Sequence, residues 1–388
     1  MDTTQRKSFL AQEFHARYQT RPAVFVQAPG RVDLIGSHTD YNLGYVLTQA
    51  IDRNTWIAAR PSNDRKIRIA SLNMDGTAAF DLDEIAFDEK VPWSNYVRGV
   101  ADVYQKEGYQ LKGFDGLVHS TIPFGSGLSS SAALEVATAV LLESLADLEL
   151  APVKRAILCQ RAENEFVGLN CGILDQYSSA LGEAGRVLLL DCRSITSEAK
   201  PIAPGMQVVI CDTRAKRALT GSEYPERRAQ CEEGVRVLSR FYPEVQSLRG
   251  ATLDQIQAHK ADLDPVVYKR CRFIVEENQR VLDMAAALAA GEHQKVGALA
   301  LESFQGARDL YEIVSPEMEA MHAAIMSAPG AYGARGAGAG FGGCLVAFVK
   351  AESVAEFAEH VHREYAYRTG IQPEIYPVQA ADGASVVS

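Results

Sequence analysis

The chain has 388 residues, enough for about two domains, and 47% hydrophobic with 23% charged residues is an ordinary composition for a soluble folded protein. The formal net charge of −10 argues against a nucleic-acid partner, whose phosphates attract basic surfaces. No apolar run approaches the ~18 residues that span a bilayer, and the seven cysteines form no C-x-x-C pair. We therefore expect a cytoplasmic protein with no membrane partner and no disulfide framework.

The first half predicts an opening helix, a block of strands and then mainly helices. We expect the helix to end at about Tyr18, and a strand at Val24–Ala28 to be ended by Pro29 and Gly30. Further strands are predicted at Val46–Ala50, Thr55–Arg60, Lys66–Leu72, Ala78–Leu82, Gly116–Ser120 and Val187–Asp191. Helices are predicted at Asn95–Glu107, Ser130–Leu148, Pro152–Val167 and Leu174–Leu181.

The second half predicts long helices framed by a few strands. The predicted helices are Glu223–Tyr242, Val266–Ala290, Gln294–Tyr311, Pro316–Met326 and Val354–Thr369, and the strands are Gln207–Thr213, Leu345–Lys350 and Pro373–Gln379. Strands and helices mix without steady β-α alternation, which predicts an α+β fold of two halves. Residues 193–205 lack periodicity, so we divide the chain into domains 1–195 and 196–388.

A cluster of polar residues follows the first predicted strand, in the stretch P-G-R-V-D-L-I-G-S-H-T-D-Y-N from Pro29 to Asn42. Burying so many donors and acceptors without partners would cost about 1–3 kcal/mol each. The cluster therefore predicts the wall of a site for a small polyhydroxylated ligand. A solvated polar loop is the alternative interpretation.

A glycine- and serine-rich loop, P-F-G-S-G-L-S-S-S-A-A, leads directly into the helix predicted from Ser130. Glycines allow a tight backbone, the serines lie where a helix N-cap belongs, and the free N–H groups of a helix N-terminus attract an anion. The loop therefore predicts a phosphate site, although it is not a Walker A sequence. An ordinary serine-capped turn is the alternative.

A second glycine cluster, from Gly333 to Cys344, contains a formal G-x-G-x-x-G at Gly338, Gly340 and Gly343. A dinucleotide-binding turn needs a helix after it, whereas the apolar run that follows here predicts a strand. We therefore expect close backbone packing against another loop or a ligand.

Two acidic residues lie in the region of the helices predicted between 152 and 181. Asp175 stands in the apolar context G-I-L-D-Q, where an acid needs a reason, although a helix N-cap would be one. Glu163 lies on a helix and could equally be a surface acid.

Taken in order, these segments resemble the galactokinases of the GHMP small-molecule kinase superfamily over essentially the whole chain. The Pro29–Asn42 stretch is similar to the galactokinase signature, and the glycine-serine loop and the second glycine cluster are similar to superfamily motifs. The segments N-C-G-I-L-D-Q and S-E-Y-P-E-R-R-A-Q-C-E-E (from Ser222) resemble further galactokinase stretches. The resemblance implies an N-terminal ribosomal-S5-like domain and a C-terminal ferredoxin-like domain, with the site between them.

The resemblance also implies a reaction, transfer of the γ-phosphoryl group of ATP to the anomeric hydroxyl of a sugar. It makes Asp175 the catalytic carboxylate and Arg31 the cation beside it, and it gives Ser131 and Glu163 to Mg²⁺. The implied sugar contacts are Ser37, His38, Asp40, Gly172 and Tyr224. The implied ATP contacts are Gly125, Ser126, Gly127, Leu128, Ser129, Ser130, Ser131 and Trp93. We expect a monomer or weak oligomer.

Two positions depart from the galactokinase pattern. The family usually has Asn at the position of Asp33 and Glu at the position of Ser37, where the Glu is expected to bind the 6-hydroxyl of the sugar. Losing that charge suggests altered specificity at C6, as in a galacturonokinase or an L-arabinokinase. A sugar and ATP sensor without catalysis, and a GHMP kinase for a non-sugar substrate, are further alternatives.

Overall fold

Two β-sheets, one in each half of the chain, carry the helices in the computed structural model, which describes residues 1–215 and 223–388. The first half contains α1 (Thr3–Tyr18), β1 (Val24–Ile35), β2 (Tyr45–Pro61), β3 (Lys66–Ser71), β4 (Thr77–Asp81), α2 (Ser94–Lys106), β5 (Phe114–Ser120), α3 (Ser130–Ala146), α4 (Pro152–Arg161), α5 (Leu174–Leu181), β6 (Arg186–Asp191) and β7 (Thr196–Pro201). A π-helical turn, Ala162–Val167, continues α4.

The second half contains most of the long helices. Its elements are β8 (Met206–Asp212), α6 (Glu223–Leu238), α7 (Leu253–Ala258), α8 (Pro265–Ala290), α9 (His293–Gly306), α10 (Pro316–Met326), β9 (Ala331–Gly336), β10 (Cys344–Lys350), α11 (Val354–Thr369), β11 (Glu374–Val378) and β12 (Ser385–Val386). A π-helical turn, Ala307–Tyr311, follows α9. The predicted helices and strands are present with shifted ends, and Ser222, which opens one segment of the resemblance, lies outside the described residues.

The strands form one mixed sheet and one antiparallel sheet. The first sheet runs β12-β1-β2-β5-β3-β4, with β6 on β2 and β7 on β6, and the second is antiparallel in the order β11-β8-β10-β9. One hydrophobic cluster joins Val32 and Leu47 of the first half to Val208, Met284 and Phe348 of the second. The halves therefore share a core beneath the residues that follow β1.

The prediction that Pro29 and Gly30 end the first strand is wrong. β1 continues to Ile35 because β-bulges between Pro29 and Arg31 and between Asp33 and Ile35 absorb the irregular residues. A Cβ on Gly30 would lie 2.7 Å from the carbonyl oxygen of Leu128, so glycine lets the glycine-serine loop pack directly on β1.

The two strands predicted at 46–50 and 55–60 form the single strand β2. Its pairing with β1 slips at the bulge, where Pro29 lies opposite Asn54 and Arg31 lies opposite Ala50. Residues 51–53 are the extra residues of β2 at this shift in register. Local hydrophobic patterning cannot reveal such a shift, because it depends on the partner strand.

Three strands, β7, β9 and the two-residue β12, and the short helix α7 have no prediction. β7 lies within the segment without periodicity because it is an edge strand with exposed and half-buried side chains. It follows the predicted domain division at residue 195, yet it pairs with β6, which precedes that division. β9 was hidden by its glycines, of which Gly333 is required by contact with α9, since its Cβ would lie 2.3 Å from the carbonyl oxygen of Gly297. The division into 1–195 and 196–388 stays a prediction.

No helix in the described part of the chain is both long enough and apolar enough to cross a bilayer.

Candidate active site

A cavity of about 750 Å³ lies where the end of β1, the start of α5 and the start of α6 meet the second glycine cluster. It brings together the residues predicted to catalyse the reaction and to contact sugar, which are Arg31, Ser37, His38, Asp40, Gly172, Asp175 and Tyr224, and it is also lined by Glu163, which is predicted to hold Mg²⁺. We call residues 36–45 the sugar loop. Ser37, His38 and Asn42 of this loop are each no more than 5% exposed, so the alternative of a solvated polar loop is wrong.

Asp175 is held on both carboxylate oxygens. Arg31 Nε donates to Oδ1 at 2.8 Å and its Nη2 donates to the same oxygen, while the hydroxyl of Ser129 donates to Oδ2 at 2.5 Å. Burial by itself would lower the pKa of Arg31, but the charges of Asp175 and Asp33 raise it. Asp175 lies inside the first turn of α5, whose N-cap is Ile173, so the alternative of an N-cap role is wrong.

His38 is a neutral imidazole whose two nitrogens are both engaged. Burial lowers the pKa of His38 to about 4. Its Nε2–H therefore donates to the carbonyl oxygen of Ala339 at 3.0 Å, and its Nδ1 accepts from the Tyr41 hydroxyl at 2.7 Å. Tyr311 in turn lies 2.8 Å from the Tyr41 oxygen, to which it donates. This series of hydrogen bonds fixes the imidazole ring in the wall of the cavity.

Asp40 faces the cavity from the short 3₁₀ turn Asp40–Asn42 and lies against Gly172. Burial and the nearby charge of Asp175 raise the pKa of Asp40 to about 6. A Cβ on residue 172 would lie 1.9 Å from Asp40 Oδ2, which no side chain could tolerate. The glycine is therefore required for the approach of this carboxylate.

Ser37 lines the cavity, yet its hydroxyl is already engaged. It donates to Asp33 Oδ2 at 2.7 Å, and Arg335 Nη2 donates to it at 2.6 Å. Arg335 also pairs with Asp33 at 3.2 Å, and both are at most 2% exposed. The two departures from the galactokinase pattern are thus in contact, and a carboxylate remains at this wall, at position 33. Direct contact of Ser37 with a sugar stays a prediction.

The glycine-serine loop ends in Ser129, the N-cap of α3, in a left-handed conformation with φ of 57°. Its hydroxyl makes no capping bond and points instead to Asp175, so the first N–H groups of α3 keep the ability to bind an anion. Gly125 and Gly127 also have positive φ, of 72° and 85°. Leu128 is buried, so only its backbone can face a phosphate.

The second glycine cluster packs against the glycine-serine loop, as the sequence predicts. A Cβ on Gly338 would lie 3.3 Å from the carbonyl oxygen of Gly127, and φ of Gly338 is 72°. The residues after the cluster form β10, so rejection of the dinucleotide motif is confirmed.

A second, smaller cavity of about 130 Å³ lies on the other side of the same loop. Trp93, Tyr96, Phe124 and Met74 give it aromatic and apolar walls, and Ser130 and Ser131 form its inner end. Trp93 is 8% exposed and donates through Nε1 to the carbonyl oxygen of Asp75. The role of Trp93 in contacting the nucleotide stays a prediction.

Glu163 is buried on the π-helical turn after α4, so its interpretation as a surface acid is wrong. Burial and the charge of Asp175 raise the pKa of Glu163 to about 7, against hydrogen bonds that include one from Ser131. A hydroxyl and a carboxylate are oxygen ligands of the kind that Mg²⁺ uses together with phosphates. Within the described residues no three His, Cys, Asp or Glu side chains form a metal cage, so the pair fits only a metal shared with a substrate.

Two further buried residues, Glu135 and Gln176, hold this region in place and were not predicted. Gln176 Nε2 donates to Glu163 at 2.5 Å and to Glu135 at 2.9 Å, and Glu135 is fully buried with a pKa raised well above the ordinary value by burial. An acid within the apolar run L-E-V-A-T-A-V of α3 was the available signal for Glu135.

Three family models match the chain. The galactokinase galactose-binding signature covers residues 12–61, the GHMP kinase N-terminal domain covers residues 95–183 and the GHMP kinase C-terminal model covers residues 284–367. These ranges contain β1 with the sugar loop, the glycine-serine loop with Asp175, and the second glycine cluster.

Curated relatives and solved structures agree with the family models. The chain is 42% identical to a galactokinase of Roseiflexus sp. over 97% of this chain and 96% of that protein, and 43% identical to one of Chloroflexus aggregans over 96% and 95%. The crystal structure of Lactococcus lactis galactokinase complexed with galactose matches at 34% identity with a TM-score of 0.93, covering 97% of this chain and 99% of that one. A Methanococcus jannaschii mevalonate kinase shares the fold at 17% identity and a TM-score of 0.64, covering 92% and 98%.

Proposed function

Because the chain belongs to the galactokinase family, with the two-domain GHMP kinase fold, we propose that it transfers the γ-phosphoryl group of ATP to the anomeric hydroxyl of D-galactose. The observation that carries this proposal is the position of Asp175, between Arg31 in the larger cavity and Ser129 at the phosphate-binding end of α3. One carboxylate thereby touches both the sugar side and the phosphate side of the site.

We assign the larger cavity to the sugar. Its carboxylates Asp40 and Asp175 accept hydrogen bonds from sugar hydroxyls, and Tyr224 and the backbone at Gly172 line the same cavity. Buried polar groups that match each hydroxyl discriminate strongly against a ligand that lacks one, since the group left unpaired carries a desolvation cost.

We assign the smaller cavity to the nucleotide base and the glycine-serine loop to the phosphates. Trp93 and Phe124 border the base, and the N-terminus of α3 faces the phosphates with its N–H groups and positive dipole end. Since Ser131 borders this cavity and bonds to Glu163 of the other, the γ-phosphate would lie where the two cavities meet.

In the transfer, Asp175 orients the anomeric hydroxyl toward the γ-phosphorus and accepts its proton as the oxygen–phosphorus bond forms. Arg31 lies beside the transferring group, where its positive charge offsets the charge that develops on the phosphoryl oxygens. Mg²⁺, which galactokinases use with ATP, would be held by Ser131 and Glu163 and supplies further neutralisation of phosphate charge.

The relatives favour galactose over the galacturonate and L-arabinose alternatives. The Ser37 geometry agrees, because Asp33 retains a carboxylate at the wall where the family's Glu is expected. The sensor alternative is not favoured either, since the glycine-serine loop, Arg31 and Asp175 are all in place.

The proposal is tested by measuring Mg·ATP-dependent phosphorylation of D-galactose, D-galacturonate and L-arabinose side by side. We expect kcat/KM for galactose to exceed that for either alternative by at least about 100-fold, as a polar site rejects a ligand that leaves its groups unpaired. Preference for galacturonate or L-arabinose would overturn the assigned sugar, and binding of sugar and ATP without turnover would favour the sensor.

A further inference from the structure

Both ends of the sugar loop are fastened to one helix of the other half of the chain. The N–H of Gly36, at the start of the loop, donates to Glu277 Oε1 at 3.1 Å. The N–H of Tyr45, at its end, donates to Asn278 Oδ1 at 2.8 Å. Glu277 and Asn278 are consecutive residues of α8, so two adjacent side chains hold the entrance and the exit of the loop.

The loop ends pack closely against each other and against α8. A Cβ on Gly44 would lie 2.3 Å from Asn278 Oδ1. A Cβ on Gly36, whose φ is 104°, would lie 2.8 Å from the carbonyl oxygen of Tyr45 and 3.0 Å from a methyl group of Val281. The loop therefore closes on itself and on α8 at the same place, with glycine where each approach requires it.

The two fastening side chains are themselves fixed. Glu277 is fully buried and accepts from Ser303 Oγ at 2.7 Å and from Arg280 Nε at 2.8 Å. Asn278 is 8% exposed and donates through Nδ2 to the carbonyl oxygen of Ile274, one turn back along α8, at 3.0 Å. Neither side chain can rotate without leaving a buried polar group unpaired, at a cost of about 1–3 kcal/mol.

We propose that Glu277 and Asn278 are positioning residues for the sugar. Neither belongs to the lining of the larger cavity, so they act through the sugar loop, which carries Ser37, His38 and Asp40. The Asp40 carboxylate packs closely against Gly172 and also accepts a hydrogen bond from the sugar. A small displacement of the loop ends would therefore move this carboxylate away from the sugar. The pair therefore sets sugar affinity and leaves the phosphate-binding loop and Asp175 in position.

This inference rests on the proposed sugar site, and binding is therefore measured separately from turnover. The main variant is Asn278→Ala, which removes the acceptor for Tyr45 N–H. The control is Gln279→Ala, which removes the exposed neighbouring side chain of α8, whose hydrogen bond goes to Asp283 and not to the sugar loop. Galactose and Mg·AMPPNP dissociation constants come from calorimetry, kcat and KM from a coupled assay, and the fold from thermal unfolding.

For Asn278→Ala we expect the galactose Kd and KM to rise about tenfold or more, with the AMPPNP Kd and kcat at saturating sugar changed less than about threefold. Asn278→Asp keeps an acceptor for Tyr45 N–H but loses the donor to the Ile274 carbonyl oxygen, so we expect its galactose Kd to lie between those of Asn278→Ala and the unmodified protein. If Asn278→Ala does not fold, Glu277→Gln replaces it, with the same expected split because the charge that fixes Arg280 is lost.

The proposal is overturned if sugar and nucleotide affinities fall together, if only kcat falls, or if Gln279→Ala has the same effect as Asn278→Ala. A protein that binds galactose but does not phosphorylate it would contradict the proposed function and leave this inference testable by the binding constants alone. A protein that binds no galactose would contradict the sugar site itself and the inference with it.

Discussion

The negative charge of Asp40 should lower the stability of the protein at neutral pH when no ligand is bound. Its folded-state pKa is about 6 against an ordinary 3.8, because burial and Asp175 disfavour the ionised form. A tenfold change in proton affinity corresponds to about 1.4 kcal/mol, so the ionised side chain costs at most about 3 kcal/mol of folding free energy. Asp40→Asn keeps the shape and an acceptor for Tyr41 N–H and removes that cost.

The sign of the pH dependence follows from the two pKa values. Above pH 6 Asp40 is ionised in both states and the full cost is present, whereas between 6 and 3.8 the folded state takes up the proton first and the cost declines. Asp40→Asn should therefore raise the free energy of unfolding by about 2–3 kcal/mol at pH 8 and by about half as much at pH 5.

Urea unfolding of both proteins, without ligands, measures this difference at the two pH values. Asp254→Asn is the matched control, since Asp254 is exposed on α7 and its replacement should change stability by less than about 0.5 kcal/mol. A stabilisation absent at pH 8, equal at both pH values, or equal to that of the control would refute the reasoning. Galactose binding by Asp40→Asn should be weakened at the same time.

Three further predictions concern other walls of the site. Gly172→Ala should weaken galactose binding at least about tenfold with the Mg·AMPPNP affinity retained, because the new methyl group would occupy the position of the Asp40 carboxylate. Calorimetry with both ligands measures this, and an unchanged galactose Kd would contradict it. Trp93→Ala should raise the KM for ATP about tenfold without changing galactose affinity, and a change in the sugar alone would remove Trp93 from the nucleotide site. Arg31→Lys loses the pair of hydrogen bonds that Nε and Nη2 donate to Asp175, and it should lower kcat about 100-fold or more with smaller effects on either KM. Steady-state kinetics measures this, and an unchanged kcat would contradict the role of the guanidinium.

Much of the fold could be predicted because periodicity and turn residues are local signals. The long helices, such as α3 and α8, have apolar residues at helical spacing and are where the sequence places them. β1 and β2 were misread because bulges let a strand pass through Pro29 and Gly30, and a bulge is decided by the neighbouring strand and loop. β7 has no buried face and therefore no alternation to detect.

Site residues could be predicted from the sequence where they are crowded within one motif. Contacts between residues that are far apart in the sequence could not be predicted. Asp175 could be selected because an acid in an apolar context needs a partner, but its partners Arg31 and Ser129 come from β1 and the glycine-serine loop. Glu277 and Asn278 carry no local signal, since acidic and amide residues are ordinary on a helix and only the fold places them against the sugar loop.

The central claim, that Asp175 directs ATP-dependent phosphorylation of the anomeric hydroxyl of galactose, is tested most directly by identifying the product. Protein, Mg·ATP and D-galactose are incubated and followed by ³¹P NMR, with Asp175→Asn alongside. We expect a sugar phosphate whose phosphorus couples to the anomeric proton, and a rate at least about 100-fold lower for Asp175→Asn. A phosphate on another hydroxyl, or full activity without the carboxylate, would contradict it.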